Sequence, residues 1–350
     1  MITVQPYYYW KGHYKSYAES LKSNVNIFID KKFKYKPIIK NNNNSNTLYV
    51  LSRFLNYFYA VFILFKILLK KKIKDNIHFL EFEPIAFFLF IIINIFFGKK
   101  FIITIHSTGK NNRFSYLLQF SRKLLLILIL LSLNFFQCII IVHKKIDKNY
   151  IKKFFKKDIY ILDYPSSILR VKKEKKYLKN FSFLIYGQIR SDKNIENFFI
   201  NNKIPKYIKV TVAGKIENIN FWNNLKKMNN SNLTVYNKFI SNRLLKRLIK
   251  INDFNFLPYD QNYSGSAGPL KDSMAYGQPV VCSNIPLFKS FLRKNNVGLI
   301  YSKKNLRKIF NVDANYYKAL SKNCINYCKK NNFNNFLEKH RKVYQELDKC

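Results

Sequence analysis

The stretch at residues 256–283, FLPYDQNYSGSAGPLKDSMAYGQPVVCS, constrains the fold more than any other part of the chain. It opens with the end of an apolar strand (Asn255, Phe256, Leu257) cut off by Pro258, then passes through a loop of small residues, Ser264, Gly265 and Ser266. Leu270, Met274 and Ala275 follow at helical spacing, Gly277 stops that segment, and Val280 and Val281 begin a second strand. A strand, a small-residue loop and a helix start aim backbone N–H groups at one point. The first-turn amides have no partner inside the helix, and the helix dipole adds positive charge there, so the unit suits an anion. The chain holds only nine glycines, and Gly265, Gly268, Gly277 and Gly298 fall here or just beyond. Glycine this scarce points to positions that backbone geometry demands. An ordinary βαβ unit with turn glycines would carry the same pattern, so pattern alone leaves both readings open.

Charge narrows the partners without choosing one. Against 19 Asp and Glu stand 62 Lys and Arg, a formal net charge of +43 over 350 residues. That length suffices for two ordinary domains with buried cores. A surface so basic attracts nucleotides, phospholipid headgroups and nucleic acid alike. The cations run along the whole chain, and no helix-turn-helix, RNP or zinc pattern appears. A basic nucleic-acid-binding protein is therefore the weaker alternative, and no nucleic-acid partner is expected. The five cysteines (Cys138, Cys282, Cys324, Cys328, Cys350) lack disulfide or zinc spacing and read as free thiols in a reducing compartment. No basic segment precedes the first apolar run, so no signal peptide is expected.

In the first half, residues 1–4 read as a strand, followed by a loop carrying Gly12 and His13. Residues 25–29 read as a strand, 41–46 as a low-complexity loop, and 48–73 as a long helix apolar on most faces. Strands are expected at 78–82 and 101–105, with an apolar segment at 85–97 too short to span a bilayer. Residues 124–142 admit two readings. They form either a transmembrane helix or, the preferred reading, a helix ending near Asn134 and then a strand, because Ser132, Asn134 and Gln137 fall where a turn is needed. Apolar helices flanked by lysines also suit the interface of an anionic membrane. His106 sits where a parallel strand ends, the edge at which α/β sheets place ligands. Glu81 and Glu83 flank Phe82, and strand alternation would put both on one face as acceptor-side base candidates. His13, His78, His143 and His340 have no setting comparable to that of His106.

Residues 171–179, VKKEKKYLK, are charged and lack apolar period, which marks a linker. A strand at 181–186 then ends at Gly187, and Gln188, Ile189, Arg190, Ser191, Asp192, Lys193 and Asn194 lead into a helix near Ile195. Arg190 and Lys193, three apart at a loop-to-helix junction, can point to one place. A guanidinium with an ammonium suits a diphosphate and offsets charge on a leaving nucleotide. Strands follow at 209–213 and 233–236, then Phe239 and Ile240, and a helix capped by Ser241 or Asn242.

The run Asp272-Ser273-Met274-Ala275-Tyr276-Gly277-Gln278-Pro279-Val280-Val281 resembles the carboxy-terminal signature of GT-B glycosyltransferases of the GT4 type. That family carries two glutamates here, the second opening the Glu-Ala-Met-Ala-x-Gly-x-Pro-Val-Val run. Asp272 stands at the second acid and Ser264 at the first. The family's Gly-Arg and Lys pair is resembled by Gly187, Arg190 and Lys193, with Gln188 where the arginine usually stands. The resemblance covers about residues 181–301 and is thin before them.

The resemblance implies an α/β GT-B fold of two Rossmann-like domains with parallel sheets facing a central cleft. The implied domains are an acceptor-side, membrane-associating domain at 1–170, a linker at 171–180, a nucleotide-sugar domain at 181–330, and a last helix at 331–350 crossing back to the first. It implies a donor diphosphate on Arg190, Lys193, Ser264, Gly265 and Ser266, and a nucleoside beside Gly187, Phe239, Ile240 and Asp272. It implies His106 and Asp272 as catalytic residues, and Gly12 and His13 on the acceptor side. The expected reaction moves a hexose from a nucleoside diphosphate sugar to a lipid-linked or growing cell-surface glycan, with retention, without a metal and without a cofactor. The expected place is cytoplasmic, at the inner face of the cell membrane. The missing first glutamate keeps a catalytically degenerate scaffold open as the alternative.

Overall fold

The computed structural model describes residues 1–6, 21, 25–28, 44–70, 76–106, 108, 116–163, 165, 177–179, 182–190, 193–201, 206–227, 232–261, 263, 267–301, 309 and 312–349. The chain forms two compact units, Met1–Tyr164 with Phe333–Cys350, and Pro165–Asn332. In the first, strands β1 (Ile2–Gln5), β2 (Val25–Phe28), β3 (Ile77–Phe79), β4 (Phe101–Ile105), β5 (Cys138–Val142) and β6 (Ile159–Ile161) lie in the order β2-β1-β3-β4-β5-β6. Helices α1 (Asn44–Lys70), α2 (Pro84–Phe97), α3 (Tyr116–Ser132) and α4 (Lys145–Ile151) run between them. The second unit holds β7 (Ser182–Tyr186), β8 (Lys209–Ala213), β9 (Leu233–Tyr236), β10 (Phe254–Leu257), β11 (Val280–Ser283) and β12 (Gly298–Tyr301), ordered β12-β11-β10-β7-β8-β9. Its helices are α5 (Ile195–Asn201), α6 (Ile219–Lys227), α7 (Asn242–Ile251), α8 (Gly268–Ala275), α9 (Pro286–Asn295) and α10 (Ala314–Lys330). The chain ends in α11 (Phe333–Lys349), which belongs to the first unit. All strand pairings described are parallel.

Parallel strands covered on both faces read as continuous apolar runs, and β4 (FIITI) and β5 (CIIIV) are buried throughout. Alternation divides their side chains. Phe101, Ile103, Cys138 and Ile140 join the core under α1, α2 and α3, while Ile102, Ile139 and Ile141 pack against Phe336, Val343 and Leu347 of α11. Each fully buried apolar side chain of this kind contributes roughly 1.5–3 kcal/mol.

Local chemistry sets the ends of the apolar helices. Asn94, the one polar residue inside α2, accepts from Lys99 N (3.0 Å) and donates to Lys99 O (2.9 Å), and Gly98 turns left-handed at φ 57 to stop the helix. Asn134 donates to Phe154 O (2.9 Å) and accepts from Lys156 N (2.8 Å), fixing a 3₁₀ turn (Leu133–Phe135) between α3 and β5. The transmembrane reading of 124–142 is therefore corrected to helix, turn and strand. Among the described residues no helix is long and apolar enough to cross a membrane. Two further expectations are corrected, one at the start of α1 and one at the end of β3. Helix α1 covers Asn44–Lys70, so residues 44–46 of the run read as a low-complexity loop are helical, while residues 71–73 of the expected helix lie outside the described residues. Strand β3 stops at Phe79, so Glu81 and Glu83 lie in a connection rather than on one strand face.

A buried polar cluster joins α11 to its sheet. His78 Nε2 meets Thr104 Oγ1 at 2.9 Å and His78 Nδ1 meets Tyr344 OH at 2.8 Å. His340 Nδ1 lies 2.9 Å from Phe336 O and, facing a carbonyl, carries the hydrogen. Burial lowers the pKa of both rings: His78 well below its ordinary value, helped by the neighbouring His340 and His106, and His340 to about 4. Both are therefore neutral above pH 6.

In the second unit β8 and β9 occupy the expected residues, and Ser241 Oγ caps α7 by accepting from Leu244 N at 3.3 Å. Counted from β7, the strand order is that of a Rossmann sheet, 3-2-1-4-5-6, whose direction of winding reverses between β7 and β10. Open α/β sheets bind ligands beyond the carboxyl ends of the strands at such a reversal.

Candidate functional site

The two segments singled out in the second half of the sequence follow β7 and β10, the pair flanking the reversal. Strand β7 ends at Gly187 (φ +91), whose N–H donates to Ala213 O at 3.0 Å. Gly214 lies so close that a Cβ there would stand 1.8 Å from Gly187 O. Only glycines allow this approach, which fixes the path of the next turn. In that turn Lys193 N donates to Arg190 O at 3.1 Å. The Lys193 side chain folds inward, leaving the residue 5% exposed. Its Nζ stands 3.4 Å from the place a Gly187 Cβ would take and 5.6 Å from the centre of the Tyr259 ring. Pro269 Cγ lies 3.4 Å from the same Gly187 point. The lysine amine, the end of β7 and the first turn of α8 thus converge.

Helix α8 is held from beneath by both strands. Tyr186 OH donates to Pro269 O (2.7 Å), and Asn255 Nδ2 donates to the same carbonyl (2.9 Å) and to Ser273 Oγ (3.1 Å). Burial, and then the nearby charge of Asp272, push the Tyr186 phenol well up, so it remains a donor. The helix begins at Ala267, a non-glycine residue in the left-handed region (φ 48, ψ 65) that costs about 1 kcal/mol or more. Among the described residues no side chain caps it. Among the described residues nothing lies within 4 Å of a Cβ built at Gly268. A strained turn thus presents a helix N-terminus and a glycine beside an inward lysine. This arrangement can hold an anionic group through N–H donors, helix dipole and ammonium together.

The other residues singled out for this site fall as follows. Asp272, half-buried on α8, lies near Tyr186 and Tyr276, whose phenols its charge helps to raise after burial. Arg190 is half-buried one turn before Lys193. Phe239 is 78% exposed beyond β9, and Ile240 packs against the core cluster that includes Leu184, Tyr186 and Leu248. Ser264, Gly265 and Ser266, like Gly12 and His13, lie outside the described residues.

The first unit has its own cluster at the carboxyl ends of β3, β4 and β5. His106 Nε2 lies 2.9 Å from Leu80 O, and since a carbonyl only accepts, this nitrogen bears hydrogen. Glu81 Oε1 stands 2.9 Å from the same nitrogen, an ion-pair contact with a nearly buried carboxylate. The His143 ring is centred 4.6 Å from that of His106, and its Nδ1 donates to Leu162 O at 2.6 Å. Sequence reading missed His143, whose only signal is that it ends the strand next to that of His106. Glu83 is otherwise engaged: it caps α2 by accepting from Ala86 N (3.1 Å) and takes Arg122 Nη1 at 2.7 Å. Among the described residues no group of three or more His, Cys, Asp or Glu is disposed to hold a metal ion.

No protein-family model matches the sequence, and no curated protein sequence matches it. Solved structures do. A sucrose-phosphate synthase (tll1590) from Thermosynechococcus elongatus is similar over 99% of this chain and 98% of its own, with a TM-score of 0.67 at 14% identity. An α,α-trehalose 6-phosphate synthase from Burkholderia multivorans covers the same shares, with a TM-score of 0.63 at 8% identity. Anabaena Alr3699/HepE, solved in complex with UDP, covers 82% of each chain, with a TM-score of 0.62 at 10% identity. Identities this low carry the fold alone. The chain has the α/β GT-B fold that the resemblance implied, a fold it shares with these proteins.

Proposed function

We propose that the chain is a GT4-type glycosyltransferase that moves a hexose from a nucleoside diphosphate sugar to a lipid-linked or growing glycan at the inner face of the cell membrane. The convergence of Lys193 Nζ, Gly187 and the first turn of α8 carries this reading. It supports a pyrophosphate seated where two segments meet at the reversal of a Rossmann sheet. Lys193, with Arg190 of the same turn, supplies the positive charge that offsets the leaving nucleoside diphosphate, and the α8 amides need not reorient as that charge develops. Fixed cations in this position make a divalent ion unnecessary. Asp272 serves the donor's hydroxyl groups, while Phe239 and Ile240 flank the base. His106 is the catalytic residue we assign to the first unit, with Glu81 as its positioning residue. Attack occurs with retention. The solved UDP complex of Alr3699/HepE, a protein of the same fold, supports the donor class.

A thermal-shift panel of UDP- and GDP-sugars tests the proposal. Stabilisation by the sugars of one base, with NMP and free sugar weaker, is the expected result. Stabilisation by none would favour the degenerate scaffold and remove the enzyme reading.

A further inference from the structure

The three helices over one face of the first sheet are apolar on both sides. A helix that only covers a sheet needs one apolar stripe. Helix α1 presents a second, outward stripe of Leu55, Phe58, Phe62 and Leu69, all exposed, with Lys66 on the same line and its Nζ 4.5 Å from the centre of the Phe62 ring. Helix α2 repeats it with Ile85, Phe88, Ile92 and Phe96. Helix α3 does so with Phe120, Leu124, Leu128 and Leu131, and the stripe ends on Phe135. The helices adjoin in the order α1, α2, α3, so the stripes lie side by side as one surface. At its end the rings of Phe96 and Phe135 are 83% and 90% exposed.

None of the three helices contains Asp or Glu. Lys66 and Lys123 are exposed within them, and Lys99, Lys152, Lys153 and Lys156 stand in the connections that follow α2 and α4. The charge pattern selects the occupant. A second copy meeting this face through a two-fold axis would set lysine against lysine. An anionic bilayer neutralises the cations while its acyl region takes the aromatic and aliphatic side chains.

We propose that the outward face of α1, α2 and α3 docks onto an anionic lipid bilayer, with the helix axes in the membrane plane. This deepens the reading of a lipid-linked acceptor and rests on it only for its purpose. The docking itself is measured without donor, acceptor or turnover, so either reading can fail alone.

The test is co-sedimentation of the full chain with vesicles of equal parts phosphatidylglycerol and phosphatidylcholine, and with phosphatidylcholine alone. The expected result is binding to the anionic vesicles that falls at least tenfold in Phe96→Ser/Phe135→Ser at constant salt, with an unchanged melting temperature. Because a serine pair can disturb packing, Phe135→Trp gives a second readout: its fluorescence should be quenched by vesicles with brominated acyl chains. Binding that ignores the serine pair and vanishes with salt would assign attachment to net charge alone and overturn the proposal. Absence of binding, or of quenching, would do the same. A concentration-dependent dimer that the serine pair dissolves would assign the face to a second copy and also overturn it.

Discussion

Each unit is built on its own parallel six-stranded sheet, and the two put different chemistry on it. All five histidines of the chain lie in the first unit, where the described ones are buried or half-buried against carbonyls, hydroxyls, a carboxylate and one another. The second unit has none. Its candidate site is built from permanent charge and backbone: Lys193, Arg190 and the start of α8. The helices differ too. Helix α7 turns Leu245, Leu248 and Ile249 inward and leaves its lysines and arginines in water, whereas α2 is apolar all round. One frame therefore carries a buried lysine beside a helix start in one half, and an apolar surface with buried imidazole rings in the other. Backbone topology alone distributes neither role.

The largest effect should follow from removing the cation at the reversal. Lys193→Met keeps the buried stem and should lower turnover roughly 10²–10³-fold, as expected when one preorganised donor to developing charge is lost. Steady-state rates that match the parent would break the contrast between the units.

A loss of stability on acidification should come next, and should sit in the first unit. The folded-state pKa of His340 is about 4, below the ordinary 6.5, so the unfolded chain takes up its proton first as pH falls. The stability this contributes is complete above about pH 6.5 and is lost progressively toward pH 4, on the order of 3 kcal/mol for the one ring. His78 shifts in the same direction. Urea unfolding across that range should show a slope that His340→Gln reduces. An unchanged slope would show that these rings do not govern the docking of α11.

Glu81 and Glu83 sharpen the comparison within the first unit. Glu81→Gln removes the charge beside His106 and should cost roughly a hundredfold in turnover. Glu83→Gln should spare turnover and cost about 1 kcal/mol of stability through the weakened cap. If the two exchange these effects, the assignment of the acid is wrong. Gly268→Ala is the mildest test. Among the described residues nothing meets the added methyl, so melting should be unchanged while the KM for donor rises on the order of tenfold.

Much of this was legible locally. Strands β4, β5, β8 and β9 announce themselves by apolar runs, Ser241 by its capping position, and the break after α3 by Asn134. The helix starts after Lys193 and at α8 were readable because both segments carry their own loop-to-helix signals. Other features were hidden because the partners are remote or the signal is absent. Tyr344 meets His78 across nearly the whole chain, and His143 reaches His106 only once β4 and β5 pair. The Glu81 segment alternates like a strand, yet the chain leaves the sheet at Leu80, where Tyr57 OH donates to Glu81 O at 3.0 Å. Ala267 takes a left-handed turn that its identity does not advertise.

Calorimetric titration of Lys193→Met and the parent chain with a nucleoside diphosphate, and with the matching nucleoside, bears most directly on the central claim. The account predicts that diphosphate affinity falls roughly tenfold to a hundredfold while nucleoside affinity holds. Equal diphosphate affinity in the two proteins would place the anion elsewhere and contradict it.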